Sequence, residues 1–147
     1  MNALEIIRQV QQNNDFSPLY QLIPYASLIG IEFERQQDAL LFHMPFKDEN
    51  IGNSALPALH GGVLGGFMEL SSTIHLLWHM QTNSLPRVVD TSVDYLRSGR
   101  PITTHAKCEV VRHGRRVANV MTQIWQDDPD KPIATARTHY ILTPVDQ

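Results

Sequence analysis

The fold is decided by residues 62–80, GVLGGFMELSSTIHLLWHM. The apolar positions of this stretch are Val63, Leu64, Phe67, Met68, Ile74, Leu77 and Trp78. They cover much of the circumference of a helix drawn through it, with small residues between them. A helix that is apolar on most sides needs a cover on most sides, so we predict one long buried helix over residues 62–80.

The segments on either side of this helix predict a sheet that covers it. Upstream, residues 29–36 and 39–45 alternate or run apolar with a polar Gln-Gln-Asp between them, which predicts a hairpin. Downstream, turn-forming residues separate four β-rich runs, which predict an antiparallel meander over 87–97, 103–112, 115–126 and 133–142. The economical packing is α+β: an antiparallel sheet of about six strands wrapped around one long central helix.

The remaining segments complete the predicted organisation. Residues 3–12 place Leu4, Ile7 and Val10 at helical spacing and predict a short N-terminal helix, to which residues 17–23 add a turn or two. Residues 46–59 lack periodicity and predict a loop of functional length. The 147 residues suit one core and contain no linker or repeat. We therefore expect one domain over 1–147, with 1–27 as its N-terminal helical segment.

Composition and charge exclude several classes of function. No apolar run approaches the roughly 18 residues that span a bilayer, so we expect no membrane partner. A net charge of −3 argues against nucleic-acid binding, which needs a basic face. The N-terminus lacks the features of a signal peptide, and the single Cys108 cannot form an internal disulfide, so we expect a reducing, cytoplasmic setting. Cys108 lies on an alternating strand pattern and is interpreted as a core thiol.

The segment that carries the chemistry is residues 52–69, GNSALPALHGGVLGGFME. Gly61 and Gly62 at the helix start leave backbone N–H groups that a ligand oxygen can approach, and the helix dipole adds a partial positive charge there. Glu69 follows Gly61 by eight residues on an otherwise apolar stretch, where a carboxylate needs a partner or a function. From the residues alone, glycines that permit tight packing and a structural carboxylate remain the alternative.

The order of these residues resembles a known family. His60-Gly61-Gly62, with an acidic residue nine positions after the histidine, resembles the hotdog-fold acyl-CoA thioesterases, in particular the branch of the phenylacetate-pathway thioesterase. Residues 89–97, VDTSVDYLR, resemble the family's strand after the helix, and residues 110–118, VVRHGRRVA, resemble its next hairpin. The resemblance covers residues 28–143.

The resemblance implies a cofactor-free thioesterase that hydrolyses a small or medium acyl-CoA, aromatic ones included. The thioester carbonyl would accept hydrogen bonds from the N–H of Gly61 or Gly62, and Glu69 would activate water or attack the carbonyl itself. In similar enzymes the carboxylate comes from the partner subunit, which implies a homodimer or a dimer of dimers. His60 would orient the loop or the thioester, or only cap the helix. Thr73, one turn after Glu69, would hold the carboxylate or a water, or bond to its own helix.

The sequence departs from the family pattern around its asparagine. Relatives often place an Asn six residues before the His with a Gly between them. Here Asn53 stands seven before His60, and Pro57 occupies the Gly position. The acid is often Asp in relatives and is Glu69 here, so the carboxylate reaches one methylene further. Asn53 is therefore the candidate for the asparagine's role.

Other candidate sites lie outside this segment. From residue 87 onward nine Lys/Arg face seven Asp/Glu, against three and eight before it, which leaves room for an anionic ligand. Phosphate-binding candidates for coenzyme A are Arg97, Arg100, Arg115 and Arg116. His75 and His79 have the spacing of two zinc ligands but lack a third, so no metal site is predicted. The competing functions are a hydroxyacyl-thioester dehydratase and a hotdog protein that binds acyl-CoA without hydrolysing it.

Overall fold

The computed structural model describes residues 2–37, 39–80 and 83–145. The helices are α1 (Ala3–Asn13), α2 (Ser17–Leu22), α3 (Pro24–Ile29) and α4 (Gly61–His79), with a short 3-10 turn over Asp48–Asn50. The strands are β1 (Glu32–Gln36), β2 (Ala39–Met44), β3 (Ile51–Asn53), β4 (Ala58–Leu59), β5 (Ser84–Tyr95), β6 (Thr104–His113), β7 (Val117–Trp125) and β8 (Ala134–Pro144). None of the helices in the described ranges is long and apolar enough to cross a membrane.

Six strands form one antiparallel sheet in the order β1-β2-β6-β7-β8-β5, and α4 packs against five of them. Phe67, Met68 and Ile74 of α4 are fully buried at the centre of the core. Small side chains face the helix from β8, where Ala134 and Ala136 are buried, so the helix approaches the sheet closely. The structure confirms the predicted α+β architecture, which is the hotdog fold.

The position of β5 differs from the predicted meander. Strands β6, β7 and β8 are consecutive neighbours, but β5 pairs with β8 and not with β6. The free side of β6 is taken by β2, where Phe42 lies opposite Ala106, so the chain crosses to the far side of the sheet between β5 and β6. As a result the twelve-residue β5 is an edge strand.

One side of α4 is only partly covered by its own chain, with Tyr25 lying against Gly66. Gly62 and Glu69 are exposed, and Gly66 and Thr73 are partly exposed. These residues are spaced by four, three and four positions, so they form one continuous stripe along the helix. The expectation of a helix buried on nearly all sides is wrong along this stripe, because small and polar residues replace the apolar ones there.

The N-terminal helices are only partly predictable. Helix α1 is confirmed, with Leu4, Ile7 and Val10 buried and a capping box between Asn2 and Glu5. Helix α3 was not predicted, and the strand expected from residue 29 begins only at Glu32. Gly30 adopts φ +82°, which glycine tolerates without strain, and ends α3 there. The segment over 46–59 contains the short β3–β4 pair in addition to loop.

Candidate active site

His60 is held firmly at the start of α4. Its ring Nδ1 accepts the backbone N–H of Gly62 at 2.9 Å, and the backbone N–H of His60 donates to the carbonyl of Asn50 at 2.9 Å. A Cβ on Gly52 would lie 2.7 Å from the Cα of His60, so the approach of these two segments requires glycine there. His60 therefore caps α4, and its role toward a thioester stays a prediction.

This cap decides which N–H groups face a ligand. The Gly62 N–H is taken by His60, whereas nothing in the described residues accepts a hydrogen bond from the Gly61 N–H. Because Nδ1 of His60 accepts, the neutral ring carries its proton on Nε2. The carbonyl of Gly61 accepts the hydroxyl of Tyr95, at 2.7 Å, which anchors the first helical turn to the end of β5. Of the two predicted oxyanion donors, the Gly61 N–H is therefore the one that remains available to a ligand oxygen.

A cleft of about 370 Å³ opens beside this helix start. Its walls come from β4, the first turn of α4 and the segment that follows β5. The lining residues are Ala58, Leu59, Gly61, Leu64, Tyr95, Leu96, Arg97, Ser98 and Gly99. A carbonyl oxygen bound at the Gly61 N–H would therefore sit in a recess that Arg97 also lines.

Glu69 lies on the exposed stripe of α4, away from this cleft within one chain. Eight residues separate it from Gly61, about 12 Å along a helix axis. An oxyanion donor lies about 3 Å from the carbonyl oxygen, and a base that acts through a water lies one water further from the carbonyl carbon.

Thr73 bonds to its own helix, as the alternative interpretation held. Its Oγ1 donates to the carbonyl of Glu69 at 3.0 Å and also lies 3.0 Å from the hydroxyl of Tyr140. Tyr140 is buried, and burial raises the pKa of its hydroxyl to about 12. The sequence carries no signal for this contact, since 67 residues separate the two side chains.

Asn53 forms a turn. Its side-chain oxygen accepts the N–H of Ala55 at 3.0 Å and of Leu56 at 3.3 Å, which is an Asx turn. Asn53 is exposed and does not line the cleft. The buried asparagine nearby is Asn50, whose side-chain amide donates to the carbonyl of Ile29 at 2.9 Å and ties the loop to α3.

Comparison with known proteins identifies the family. The family model of the thioesterase superfamily matches residues 56–133, which is more than half of the chain. The match runs from the segment before α4 to the residue before β8. The chain belongs to the thioesterase superfamily. It is 39% identical to a protein of known structure from Chromobacterium violaceum, over 97% of this chain and 99% of that one, with a TM-score of 0.78.

Two further relatives of this thioesterase-superfamily chain are more distant. The medium/long-chain acyl-CoA thioesterase YigI of Salmonella typhimurium is 26% identical over 135 residues, 82% of this chain and 86% of that protein. A phenylacetic acid degradation-related protein of Ralstonia eutropha shares the fold at 18% identity, with a TM-score of 0.71 over 81% of this chain and 89% of that one.

The four candidate arginines of this superfamily member fall into two separate pairs. Arg97 and Arg100 follow β5 near the helix start, whereas Arg115 and Arg116 lie in the β6–β7 turn. The pairing of Val117 with Ile141 and of Ile124 with Ala134 places the two pairs at opposite ends of β7, about 23 Å apart at 3.3 Å per residue. A single phosphate group cannot contact both pairs in one chain.

The two arginines near the cleft have partners of their own. Arg97 donates one N–H to the carbonyl of Pro132 at 2.6 Å. This bond orients the guanidinium and uses one of its five donors. Arg100 forms an ion pair with Asp127, and both side chains are largely exposed. Exposed pairs of this kind contribute about 0–1 kcal/mol, so Arg100 can exchange its partner for a phosphate.

The remaining titratable candidates are structural. His75 and His79 stack with ring centroids 6.3 Å apart, and burial, followed by the neighbouring His79, lowers the pKa of His75 to about 4. No group of three metal-ligating side chains occurs in the described part of the chain. Burial raises the pKa of the Cys108 thiol to about 12, and its Sγ lies 3.4 Å from Thr122 Oγ1. Cys108 is partly buried and packs against the core from the sheet, so the interpretation as a core thiol holds only in part.

Proposed function

We propose that the protein is an acyl-CoA thioesterase that hydrolyses a small or medium acyl group, aromatic ones included. The observation that carries the proposal is the Gly61 N–H, which has no acceptor among the described residues and lies at a cleft that Arg97 borders. The carboxylate of Glu69 on the exposed stripe of the same helix supplies a base. The similarity to YigI, a medium/long-chain acyl-CoA thioesterase, supports acyl-CoA as the substrate class.

We infer that the active unit is a homodimer, alone or as a dimer of dimers. The separation of about 12 Å between Gly61 and Glu69 along α4 favours a second copy if both act on one thioester. The exposed stripe of α4 and the unpaired edge of β5 supply surfaces for that contact. Three large apolar side chains along and beyond β5 are more than half exposed, namely Val89, Tyr95 and Leu96. Long apolar edge strands generally need a partner, and a second copy provides one.

The chemistry follows from these groups. The thioester oxygen accepts the Gly61 N–H of one chain, and the dipole of α4 stabilises the negative charge that develops on it. The Glu69 carboxylate of the other chain takes a proton from a water whose oxygen attacks the carbonyl carbon. The C–S bond then breaks, and the coenzyme A thiolate leaves with the proton from Glu69. In the alternative route Glu69 attacks directly, and water hydrolyses the resulting anhydride.

A thiol-release assay of the purified protein against acyl-CoAs from acetyl to long-chain, aromatic ones included, tests this function. We expect release with the highest kcat/KM on small or medium acyl groups. Tight acyl-CoA binding without thiol release would indicate the binding protein instead. Loss of the enoyl absorbance of a 2-enoyl-CoA, without thiol release, would indicate the dehydratase.

Arg97 is expected to bind a phosphate of coenzyme A. Changing Arg97 to Ala removes a charged donor beside the cleft and should raise KM for the best acyl-CoA by roughly tenfold, with kcat nearly unchanged. The increase should be larger at low salt, because screening weakens the contact. Steady-state kinetics with the matching acyl-pantetheine, which lacks the nucleotide phosphates, should give the same KM for variant and wild type.

The control for Arg97 is Arg137→Ala, the same change at an exposed position of β8. It should keep the wild-type KM on both substrates. An Arg97→Ala protein with wild-type KM on the acyl-CoA at low salt would place the phosphate contact elsewhere.

A further inference from the structure

Three hydroxyl groups meet directly behind the exposed stripe of α4. The hydroxyl of Tyr140, a side chain only 1% exposed, lies 3.0 Å from Thr73 Oγ1 and also contacts Ser72 Oγ. Ser72 Oγ and Thr73 Oγ1 each lie within hydrogen-bond distance of the Glu69 carbonyl, at 2.9 and 3.0 Å. Four contacts therefore connect three hydroxyls and one carbonyl.

The protons of this cluster are fully used inside it. A carbonyl supplies no proton, so three protons serve four contacts. If Thr73 donates to the Glu69 carbonyl, Tyr140 must donate to Thr73 for their contact to be a hydrogen bond. If Thr73 instead donates to Tyr140, its proton is again consumed. In both arrangements the Thr73 proton stays inside the cluster, so Thr73 Oγ1 can serve a ligand at the exposed stripe only as an acceptor.

We propose that Tyr140 is a positioning residue, which holds Thr73 Oγ1 as the hydrogen-bond acceptor for the attacking water. The inference rests on the proposed thioesterase function. An attacking water has two protons, of which the Glu69 carboxylate takes one. If Thr73 Oγ1 accepts the other, a lone pair of the water oxygen is left to point at the thioester carbon. A Thr73 hydroxyl free to rotate would donate to the water in part of its orientations and would turn that lone pair away.

The surroundings of Tyr140 suit this role. Burial raises the pKa of Tyr140 to about 12, so its hydroxyl remains a proton donor at neutral pH. The ring packs in a second apolar cluster under the C-terminal half of α4, which fixes the hydroxyl in place. The other members of this cluster are Leu76, Met80, Ala118, Val120 and Leu142.

Tyr140→Phe tests the proposal with little disturbance of the fold. Ser72 and Thr73 then share the Glu69 carbonyl as their remaining partner, so no buried donor is left without an acceptor, but the Thr73 hydroxyl is held by one shared contact instead of two. We expect kcat on the best acyl-CoA to fall about tenfold, with KM within about twofold of wild type. Tyr20→Phe is the matched control, since the Tyr20 hydroxyl donates to the Ile31 carbonyl at 2.6 Å, away from α4. It should lower Tm and leave kcat unchanged.

A double-mutant cycle with Thr73→Val separates positioning from a general structural effect. If Tyr140 acts through Thr73, the double variant is no slower than Thr73→Val alone. Effects on kcat that multiply, or a folded Tyr140→Phe protein with wild-type kcat, would overturn the proposal.

The proposal and the proposed function fail in different ways. A wild-type protein that releases no thiol, or a Glu69→Gln protein with wild-type kcat, would overturn the thioesterase mechanism and this inference with it. A wild type that is active and a Glu69→Gln variant that is inactive, together with an unaffected Tyr140→Phe, would overturn only the role of Tyr140.

Discussion

Changing Glu69 to Gln is expected to lower kcat by roughly 10²- to 10⁴-fold, the range for general acid–base groups, while KM stays within a few-fold of wild type. Glutamine keeps the shape of the side chain but cannot take a proton or attack a carbonyl. The fold should not change, because Glu69 is exposed and the Ser72–Thr73–Tyr140 cluster uses only its backbone carbonyl. Steady-state kinetics on the best acyl-CoA and a thermal melt measure both effects.

Two further variants sharpen this result. Glu109→Gln makes the same change at an exposed position of β6 and should keep the wild-type kcat. Glu69→Asp should be intermediate, because aspartate keeps the carboxylate but shortens its reach by one methylene. A folded, dimeric Glu69→Gln protein within a few-fold of the wild-type kcat would contradict the mechanism. The protein would then either bind acyl-CoA without hydrolysing it or use another catalytic residue.

The local sequence pattern predicted the individual helices and strands better than it predicted which strands lie side by side. The period of residues 62–80 placed α4 to within one residue at each end, because its apolar positions repeat over five turns. The same kind of pattern tells which face of β5 is buried but not which strand lies beside it. Helix α3 has only six residues, which are too few to show a helical period. The apolar run Ile29-Gly30-Ile31 at its end was therefore interpreted as the start of a strand.

The site shows the same division between local and distant signals. His60, Gly61 and Glu69 lie on or next to one helix, so their order in the chain was enough to single them out. Tyr95 and Tyr140 reach the same helix across 34 and 67 residues, and nothing in their own segments marks them. Periodicity also suggested that Glu69 is buried, because it counts apolar neighbours and cannot tell which side of α4 its own chain leaves open.

Changing Gly61 to Pro should lower kcat by about 10²- to 10³-fold, the usual cost of removing one oxyanion donor. Proline has no N–H, and its fixed φ suits the first residue of a helix. The preceding His60 has ψ 129°, in the extended region that a residue before proline prefers, so α4 should form normally. Gly61→Ala is the control, because it keeps the N–H and its Cβ comes no closer than 3.5 Å to Tyr95. Steady-state kinetics and circular dichroism of both variants provide the comparison.

Mixing two inactive proteins then tests whether the site lies between subunits. In a dimer of one Gly61→Pro chain and one Glu69→Gln chain, one site combines both defects and the other combines an intact Gly61 with an intact Glu69. Random pairing makes half of the dimers mixed, each with one intact site of two, so about one quarter of the wild-type activity should return. If the two groups acted within one chain, every site in every mixed dimer would carry a defect. Demonstrated subunit exchange without recovered activity would therefore exclude a site that combines Gly61 of one chain with Glu69 of the other, whatever each single variant loses.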